Sequence, residues 1–456
     1  MHKFLTKHVV TPLSHLRRRH TSGMRSTYDN FITGLSFRRK TRDWGEERRS
    51  EWILEQLRTK LRAAAVDVPY YRTLFNKIGF DPNAEFSFDD FARLPVLQRD
   101  DIHNAGPELR STSVSPDDVT ADSTGGSTGI PTTIYVGPEE RGWSESGMQF
   151  SFEKIGVDVG ARKALLWGHH LDPQAPENLR DSIRSYLTNE RVFDCFRMSE
   201  ETMLAYHRQF QVFKPDCIVA YASALGHFAE FLTERKLTPV NYPNTCFVTG
   251  AEKLYPRFRT MIEDAFGTSR PVHERYGGRD FGLVAIQTNP ASSLSFEVDW
   301  AWALLEPETD SEQSPLLVTK LHADAMPLIR YKVGDVCRLP SNSRPGHPSF
   351  FIEEVSGREL DRIWRKDGSW IAGEQFPHLL KSFPVREFML IQDESYAVEL
   401  QLVTKDGFNT EVENEISTIV GANLAGLPFR IRTVQTVERT MANKWRPVVS
   451  KVRSMV

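Results

Sequence analysis

Cysteine is scarce in this chain. Cys195, Cys217, Cys246 and Cys337 are scattered singly through 456 positions, with neither the paired spacing of a zinc site nor the density of a disulfide framework. A small stapled fold is excluded, and a reducing cytoplasm is the simplest home. Net charge is nearly absent as well: 57 Lys and Arg stand against 60 Asp and Glu, a formal balance of -3, so no global field favours nucleic acid or an anionic membrane. Long apolar runs are missing too, since nothing approaches the roughly 20 residues that span a bilayer. What remains is a soluble protein that acts on a small molecule.

The one lopsided stretch is residues 1–40, where Lys3, Lys7, Arg17, Arg18 and Arg19 meet no acid before Asp29. Its apolar pairs Phe4-Leu5 and Val9-Val10 are too short for the core of a signal peptide. The segment reads as a flexible lead, a docking arm or a transit peptide, and the ordered chain is expected to start near residue 41.

A length of 456 residues with 40% hydrophobic content suffices for a large cored domain and a smaller one. Glu51 to Ala65 has helical periodicity through Ile53, Leu54, Leu57 and Leu61, and Pro69 ends that helix. The middle alternates strand-like runs, Ala164-Leu165-Leu166-Trp167, Cys217 to Tyr221 and Thr245 to Thr249, with amphipathic stretches such as Leu225 to Leu232, which predicts an α/β layer architecture. From about residue 386 the pattern changes. Phe388 to Ile391, the alternation of Val398, Leu400 and Leu402, a helix through Val412, Ile416, Ile419 and Val420, and a strand through Ile431, Val434 and Val437 predict a small α+β domain.

What the chain has in abundance, in one place, is glycine and small hydroxyl residues: Thr124-Gly125-Gly126-Ser127-Thr128-Gly129-Ile130-Pro131-Thr132-Thr133. Glycines admit the dihedrals that let successive N–H groups converge on one anion, and hydroxyls add donors without bulk. The spacing fits neither the Walker pattern nor G-x-G-x-x-G. Alone, the run is either a phosphate cradle or a surface turn; Thr133 to Val136 then reads as a strand, making the loop the tip of a hairpin.

Four downstream segments supply context: Arg275-Tyr276-Gly277-Gly278-Arg279-Asp280-Phe281-Gly282, Ile329 to Asp335, Gly357 to Ile363 and Asn443-Lys444-Trp445-Arg446-Pro447. In this order the set resembles the adenylate-forming enzymes, the superfamily of acyl-CoA synthetases, luciferases and peptide-synthetase adenylation domains. Val68-Pro69-Tyr70-Tyr71, Leu94 to Ile102 and Lys214-Pro215-Asp216 point more closely to the phenylacetate-CoA ligase branch, including its capsular-polysaccharide-type relatives. The resemblance runs from roughly residue 50 to the end.

That resemblance implies an α/β fold: a large multilayer N-terminal domain with mixed sheets and helices over 41–356, a hinge at 357–363 and a small mobile α+β C-terminal domain over 364–456. It implies ATP, Mg2+ and, as the default acyl acceptor, coenzyme A. Thr124, Gly125, Gly126, Ser127, Thr128 and Gly129 would hold the β- and γ-phosphates, and Tyr276 and Gly277 would meet adenine with Gly250-Ala251-Glu252 along the ring's other side. Asp335 would accept from the ribose hydroxyls, Arg358 would meet phosphate or ribose oxygens, and Asp280 would hold Mg2+. Lys444 would sit between substrate carboxylate and α-phosphate, offsetting charge as two anions approach.

Each residue has a plainer reading: Tyr276 a core aromatic, Asp335 an Asx turn after a strand, Arg358 an interdomain ion pair, Asp280 an exposed loop acid, and Lys444 a solvated lysine with Lys451 as its rival. The chain also departs from the family pattern. Asp280 replaces Glu, Asn443 replaces Gly, Ile130 stands where a lysine is frequent, and Glu359-Leu360-Asp361 places the hinge acid one residue late.

For the acid, Trp167, His169, His170, Tyr221, Ala222, Ser223 and Phe247 fall at strand ends, where α/β sheets bind ligands. His169-His170 fits a hydrogen-bonded pocket or surface pair better than a metal site. The implied activity is adenylation of a carboxylic acid with release of pyrophosphate, then transfer to coenzyme A. An amide or ester synthetase using an amine or hydroxyl acceptor, and a nucleotide-binding relative without catalysis, stay open; no nucleic acid or membrane span is expected.

Overall fold

The computed structural model describes residues 22–123, 132–167, 189–195, 198–237, 246–267, 271–358, 362–366, 370–373, 375–380, 383–424, 426–438 and 446–452. Its contacts divide the chain into two units, Met1–Val333 with Cys337–Glu354, and Gly334–Val336 with Val355–Val456.

The larger unit opens with α1 (Ser22–Lys40), α2 (Glu46–Asp67) and α3 (Pro69–Ile78). The described chain is already helical from Ser22, ahead of the start expected near residue 41. Arg38 is the reason: its guanidinium is buried in an ion pair with Asp299 at 2.8 Å and donates to the Ser146 hydroxyl at 2.8 Å. The helix lies tight on α5 (Pro138–Lys154) because Gly142 has no side chain; a Cβ there would come within 2.5 Å of the Thr27 carbonyl oxygen. Basic residues that look like a solvated tail are, at Arg38, an internal clamp. In α2 the buried Ile53, Leu57, Leu61 and Ala64 recur at helical spacing, and Pro69 opens α3 at the position where its missing N–H costs nothing.

A short helix, α4 (Arg99–Ala105), precedes the hairpin of β1 (Thr120–Ser123) and β2 (Thr133–Val136), which pair antiparallel with Ser123 opposite Thr133. The Gly-rich loop joins these two strands, and Thr124 to Pro131 lie outside the described residues.

The main sheet takes β3 (Lys163–Trp167), β4 (Glu190–Asp194), β5 (Cys217–Tyr221), β6 (Cys246–Gly250), β7 (Val272–Gly278), β8 (Gly282–Ile286) and β9 (Phe296–Val298). With β13 (Phe351–Ile352) at its edge, the order is β13-β9-β8-β7-β6-β5-β3-β4. The run from β7 to β4 is parallel, and the run from β7 to β13 is antiparallel. Every residue of β5 and β6 is buried, as parallel strands covered on both faces require. Helices α6 (Glu200–Phe213), α7 (Ala222–Glu234) and α8 (Pro256–Phe266) connect the strands. A second sheet carries β10 (Ala303–Pro307), β11 (Gln313–Lys320) and β12 (Tyr331–Arg338).

In the smaller unit β15 (Arg362–Trp364) and β16 (Trp370–Ala372) form a hairpin. A four-stranded sheet of β17 (Val385–Gln392), β18 (Val398–Thr404), β19 (Phe429–Thr433) and β20 (Val448–Ser450) has the order β19-β18-β17-β20. The helix Thr410–Asn423 covers it, and Leu390, Leu400, Leu402, Ile416 and Val420 form the core. Gln392 is buried there and satisfied, accepting from the Trp364 N–H at 2.8 Å and donating to the Trp364 carbonyl at 2.7 Å. No helix among the described residues is long and apolar enough to cross a membrane.

Candidate active site

The chain leaves β3 toward β4 on one side, then returns across β3 to β5 and proceeds toward β7 on the other. The carboxyl ends of β3 and β5 thus flank the point where the strand order reverses, which is where open α/β sheets leave a crevice. Trp167 ends β3 and Tyr221 ends β5, and their rings meet edge to face with centroids 4.3 Å apart. Burial pushes the Tyr221 phenol up to about 12, so the wall stays neutral near physiological pH. Of the residues expected in the acid pocket, these two are brought together. Ala222 and Ser223 open α7 behind Tyr221, whereas Phe247 is buried within β6 against Phe266, in the core. His169 and His170 lie outside the described residues.

The next strand ends carry the nucleotide motifs. Gly250 closes β6, and Ala251 follows with φ 67, a left-handed conformation that costs a residue with a Cβ and is typical of functional turns. That turn swings the Glu252 carboxylate onto the start of α7, where it accepts from the Ser223 N–H at 3.0 Å and complements the helix dipole. Tyr276 is buried in β7 with its ring 5.8 Å from that of Phe281 and 6.5 Å from that of Phe296. Gly277 is exposed, and a Cβ there would lie 2.4 Å from the Gly282 carbonyl oxygen, so the close β7–β8 turn admits glycine alone.

Asp280 is not an exposed loop acid. It is 5% exposed, its Oδ2 accepts from the Tyr331 hydroxyl at 2.9 Å, and the Arg99 guanidinium stands 3.8 Å from the same oxygen. Three distant segments meet here, and the reason is mechanical. Arg330 has φ 52, pairs with buried Glu306 at 3.1 Å, and donates to the carbonyls of Ala92 and Leu94. Those bonds dock the Leu94–Leu97 stretch on β12, where Leu97 exchanges two backbone bonds with Arg330 and Lys332 at 3.0 Å each. Arg99, two residues on, is delivered to Asp280. At the other end of α4, His103 bonds the Thr132 hydroxyl at 3.1 Å, tying the helix to the exit of the Gly-rich loop.

For a hard divalent cation, Asp280 offers one further oxygen, Oδ1, which makes no hydrogen bond among the described residues. No group of three acidic, histidine or cysteine side chains that could hold a metal occurs among those residues. The donor set therefore fits Mg2+ held chiefly by phosphate oxygens and water.

Sequence reasoning missed Arg99, whose role depends on docking, and Glu274, whose side chain is buried beneath the turn after β6. Glu274 accepts from the Leu254 N–H at 2.8 Å, and burial pushes its carboxyl up to about 7. Asp335 lies inside β12 and not in a turn after a strand: Gly334, with φ 83, interrupts the pleat without ending the strand. Arg358 ends β14 (Glu354–Arg358). Asn443, Lys444 and Glu359 to Asp361 lie outside the described residues.

No protein-family model matches the chain. In sequence it is similar to the phenylacetate-coenzyme A ligase of Pseudomonas putida, 24% identical over 326 residues that cover 68% of this chain and 70% of that one. It is also similar to protein CapK of Staphylococcus aureus, 22% identical over 278 residues and 60% of each chain. In structure it is similar to 2-hydroxyisobutyryl-CoA ligase in the postadenylation state in complex with R3-HIB-AMP, with a TM-score of 0.69 and 17% identity over 90% of both chains. The fold is that of 2-hydroxyisobutyryl-CoA ligase. The sequence relatives are thus phenylacetate-coenzyme A ligases and a CapK protein, at 22–24% identity.

Proposed function

We propose that this protein is an AMP-forming carboxylic acid ligase that uses coenzyme A as acyl acceptor. The observation that carries the reading is the gathering of the Trp167–Tyr221 wall, the Ala251–Glu252 turn and the Tyr276–Asp280 motif at the carboxyl edge of one parallel sheet, beside its switch point.

In the first half-reaction an oxygen of the acid's carboxylate attacks the α-phosphorus of ATP; the bond to the bridging oxygen breaks and pyrophosphate leaves. In the second, the thiol of coenzyme A, losing its proton, attacks the acyl carbon and AMP departs with the bonding pair. The wall orients the acid, and the backbone of residues 124–129 with Tyr276, Gly277, Asp335 and Arg358 positions the nucleotide. Lys444 offsets the charge where carboxylate meets phosphate. Asp280 would hold Mg2+, which would supply further neutralisation of the triphosphate. With Ile130 where the family often carries a lysine, the cation beside Asp280 is Arg99.

The test is carboxylate-dependent exchange of labelled pyrophosphate into ATP, followed by thioester formation on adding coenzyme A. Lys444→Ala is expected to abolish exchange while ATP binding persists. Exchange without any response to coenzyme A identifies an amine or hydroxyl acceptor instead. ATP binding with no exchange across aromatic, aliphatic and amino acids refutes the enzymatic reading.

A further inference from the structure

The two most deeply buried ion-paired arginines of the larger unit have carboxylate partners: Arg38 with Asp299 at 2.8 Å and Arg330 with Glu306 at 3.1 Å. Arg275 differs from both. It lies on β7 just before Tyr276, and because Thr249 pairs with Glu274 it stands beside Gly250 on the neighbouring strand. A Cβ built on Gly250 would lie 3.7 Å from the Arg275 Nε, so the absent side chain leaves the arginine room to lie across β6. Its guanidinium carbon comes within 5.7 Å of the centroid of the Phe152 ring on α5. Among the described residues no carboxylate lies within ion-pair distance of it and no acceptor bonds to it, yet it is only partly exposed. Burial lowers its pKa, and the Cys217 thiol offsets that only in part. A desolvated cation without a counter-charge is costly, and such groups are ordinarily paired or bound to an anion.

The place of this cation says which anion. Phe152 belongs to the cluster against which Trp167 packs, so Arg275 reaches the same apolar compartment that the Trp167–Tyr221 wall closes. Gly277, at the exposed nucleotide edge, is two residues farther along β7, about 7 Å at the rise of an extended strand. An anion at the guanidinium, which lies across β6 toward Phe152, is therefore set back from that edge.

We propose that Arg275 is the anion-recognition residue of the acid pocket, and that the acid activated by this protein carries a second carboxylate a few carbons from the one that reacts. The proposal rests on the adenylating reading of the same site and narrows it to dicarboxylic acids. Arg275 forms charge-assisted, bidentate hydrogen bonds to the distal carboxylate, a geometry its planar fork suits. The aliphatic linker runs past Phe152, and the proximal carboxylate is presented toward the nucleotide.

The experiment compares glutarate and succinate with pentanoate and butyrate in pyrophosphate exchange, using the full-length protein and its Arg275→Met and Arg275→Lys variants. The wild type is expected to favour the dicarboxylates. In Arg275→Met the ratio of kcat/KM for glutarate to that for pentanoate is expected to fall roughly 10- to 100-fold, the worth of a charge-assisted pair, with Arg275→Lys intermediate. An unchanged ratio overturns the proposal. Removal of an unpaired charge is expected to leave the unfolding midpoint of Arg275→Met at or above that of the wild type; a lower midpoint with unchanged selectivity assigns Arg275 a packing role and also overturns it. If the wild type exchanges with no acid, the adenylating reading fails separately. Calorimetric titration with glutarate then decides the anion site: tighter binding to wild type than to Arg275→Met supports it, and equal binding refutes it.

Discussion

Replacing Glu274 by Gln should make the protein more stable at neutral and alkaline pH. The carboxyl is buried, accepts from the Leu254 N–H at 2.8 Å, and holds its proton up to about pH 7, against an ordinary value of 4.5. Between those values the folded state binds a proton that the unfolded chain has released, so the contribution of Glu274 is fully present below about pH 4.5 and is lost as pH rises through about 7. That displacement corresponds to about 3 kcal/mol. His322 works in the opposite sense. Burial holds its imidazole down to about 4 from an ordinary 6.5, with the ring stacked on Trp143 at 3.5 Å, so its contribution is lost as pH falls through that range. Between about 4.5 and 6.5 the two slopes cancel, and a wild-type profile conceals both.

The informative quantity is therefore the stability difference between variant and wild type. A Gln carbonyl oxygen keeps the Leu254 bond and removes the titration. Urea unfolding followed by circular dichroism, at pH values from roughly 4.5 to 8, is expected to show the difference moving by about 3 kcal/mol in favour of Glu274→Gln. A difference that stays constant with pH would refute the reasoning.

Asp280→Ala leaves the buried Tyr331 hydroxyl without its acceptor and is expected to cost about 1–3 kcal/mol by urea unfolding. Asp280→Asn, which keeps an acceptor oxygen but no charge, is expected to raise the Mg2+ concentration needed for half-maximal exchange. Tyr221→Ala removes half of the aromatic wall, and the KM for the acid is expected to rise roughly tenfold with a much smaller change in that for ATP. Arg38→Ala breaks the clamp that seats α1 and is expected to lower stability by about 3 kcal/mol, measured by thermal or urea unfolding.

Much of the scaffold is legible in residue order. The apolar runs of β5 and β6 have no polar face because both faces are covered, and α2 shows its buried stripe at Ile53, Leu57 and Leu61. A hairpin around the Gly-rich loop follows from the strand signal after it, and Ser123 does pair with Thr133. The helix α1 is less legible. Its decisive partner, Asp299, is 261 residues away, and a basic segment read without that partner looks like a tail. The surroundings of Asp280 are hidden for the same reason, since Arg99, Asp280 and Tyr331 meet only because Arg330 and Leu97 dock two distant segments.

Local chemistry, in short, is written along the chain: glycines and hydroxyls suited to phosphate, aromatic residues at strand ends, and a lysine and two acids in the order of an adenylating site. Those expectations come from residue order and from the family resemblance that it carries. Which charges are neutralised is decided in three dimensions, because pairing and desolvation depend on distances between segments that sequence separation does not constrain. The tertiary structure alone places Arg99 beside Asp280, raises the Glu274 carboxyl to about 7, and sets the Arg275 guanidinium against Phe152 without a carboxylate partner among the described residues.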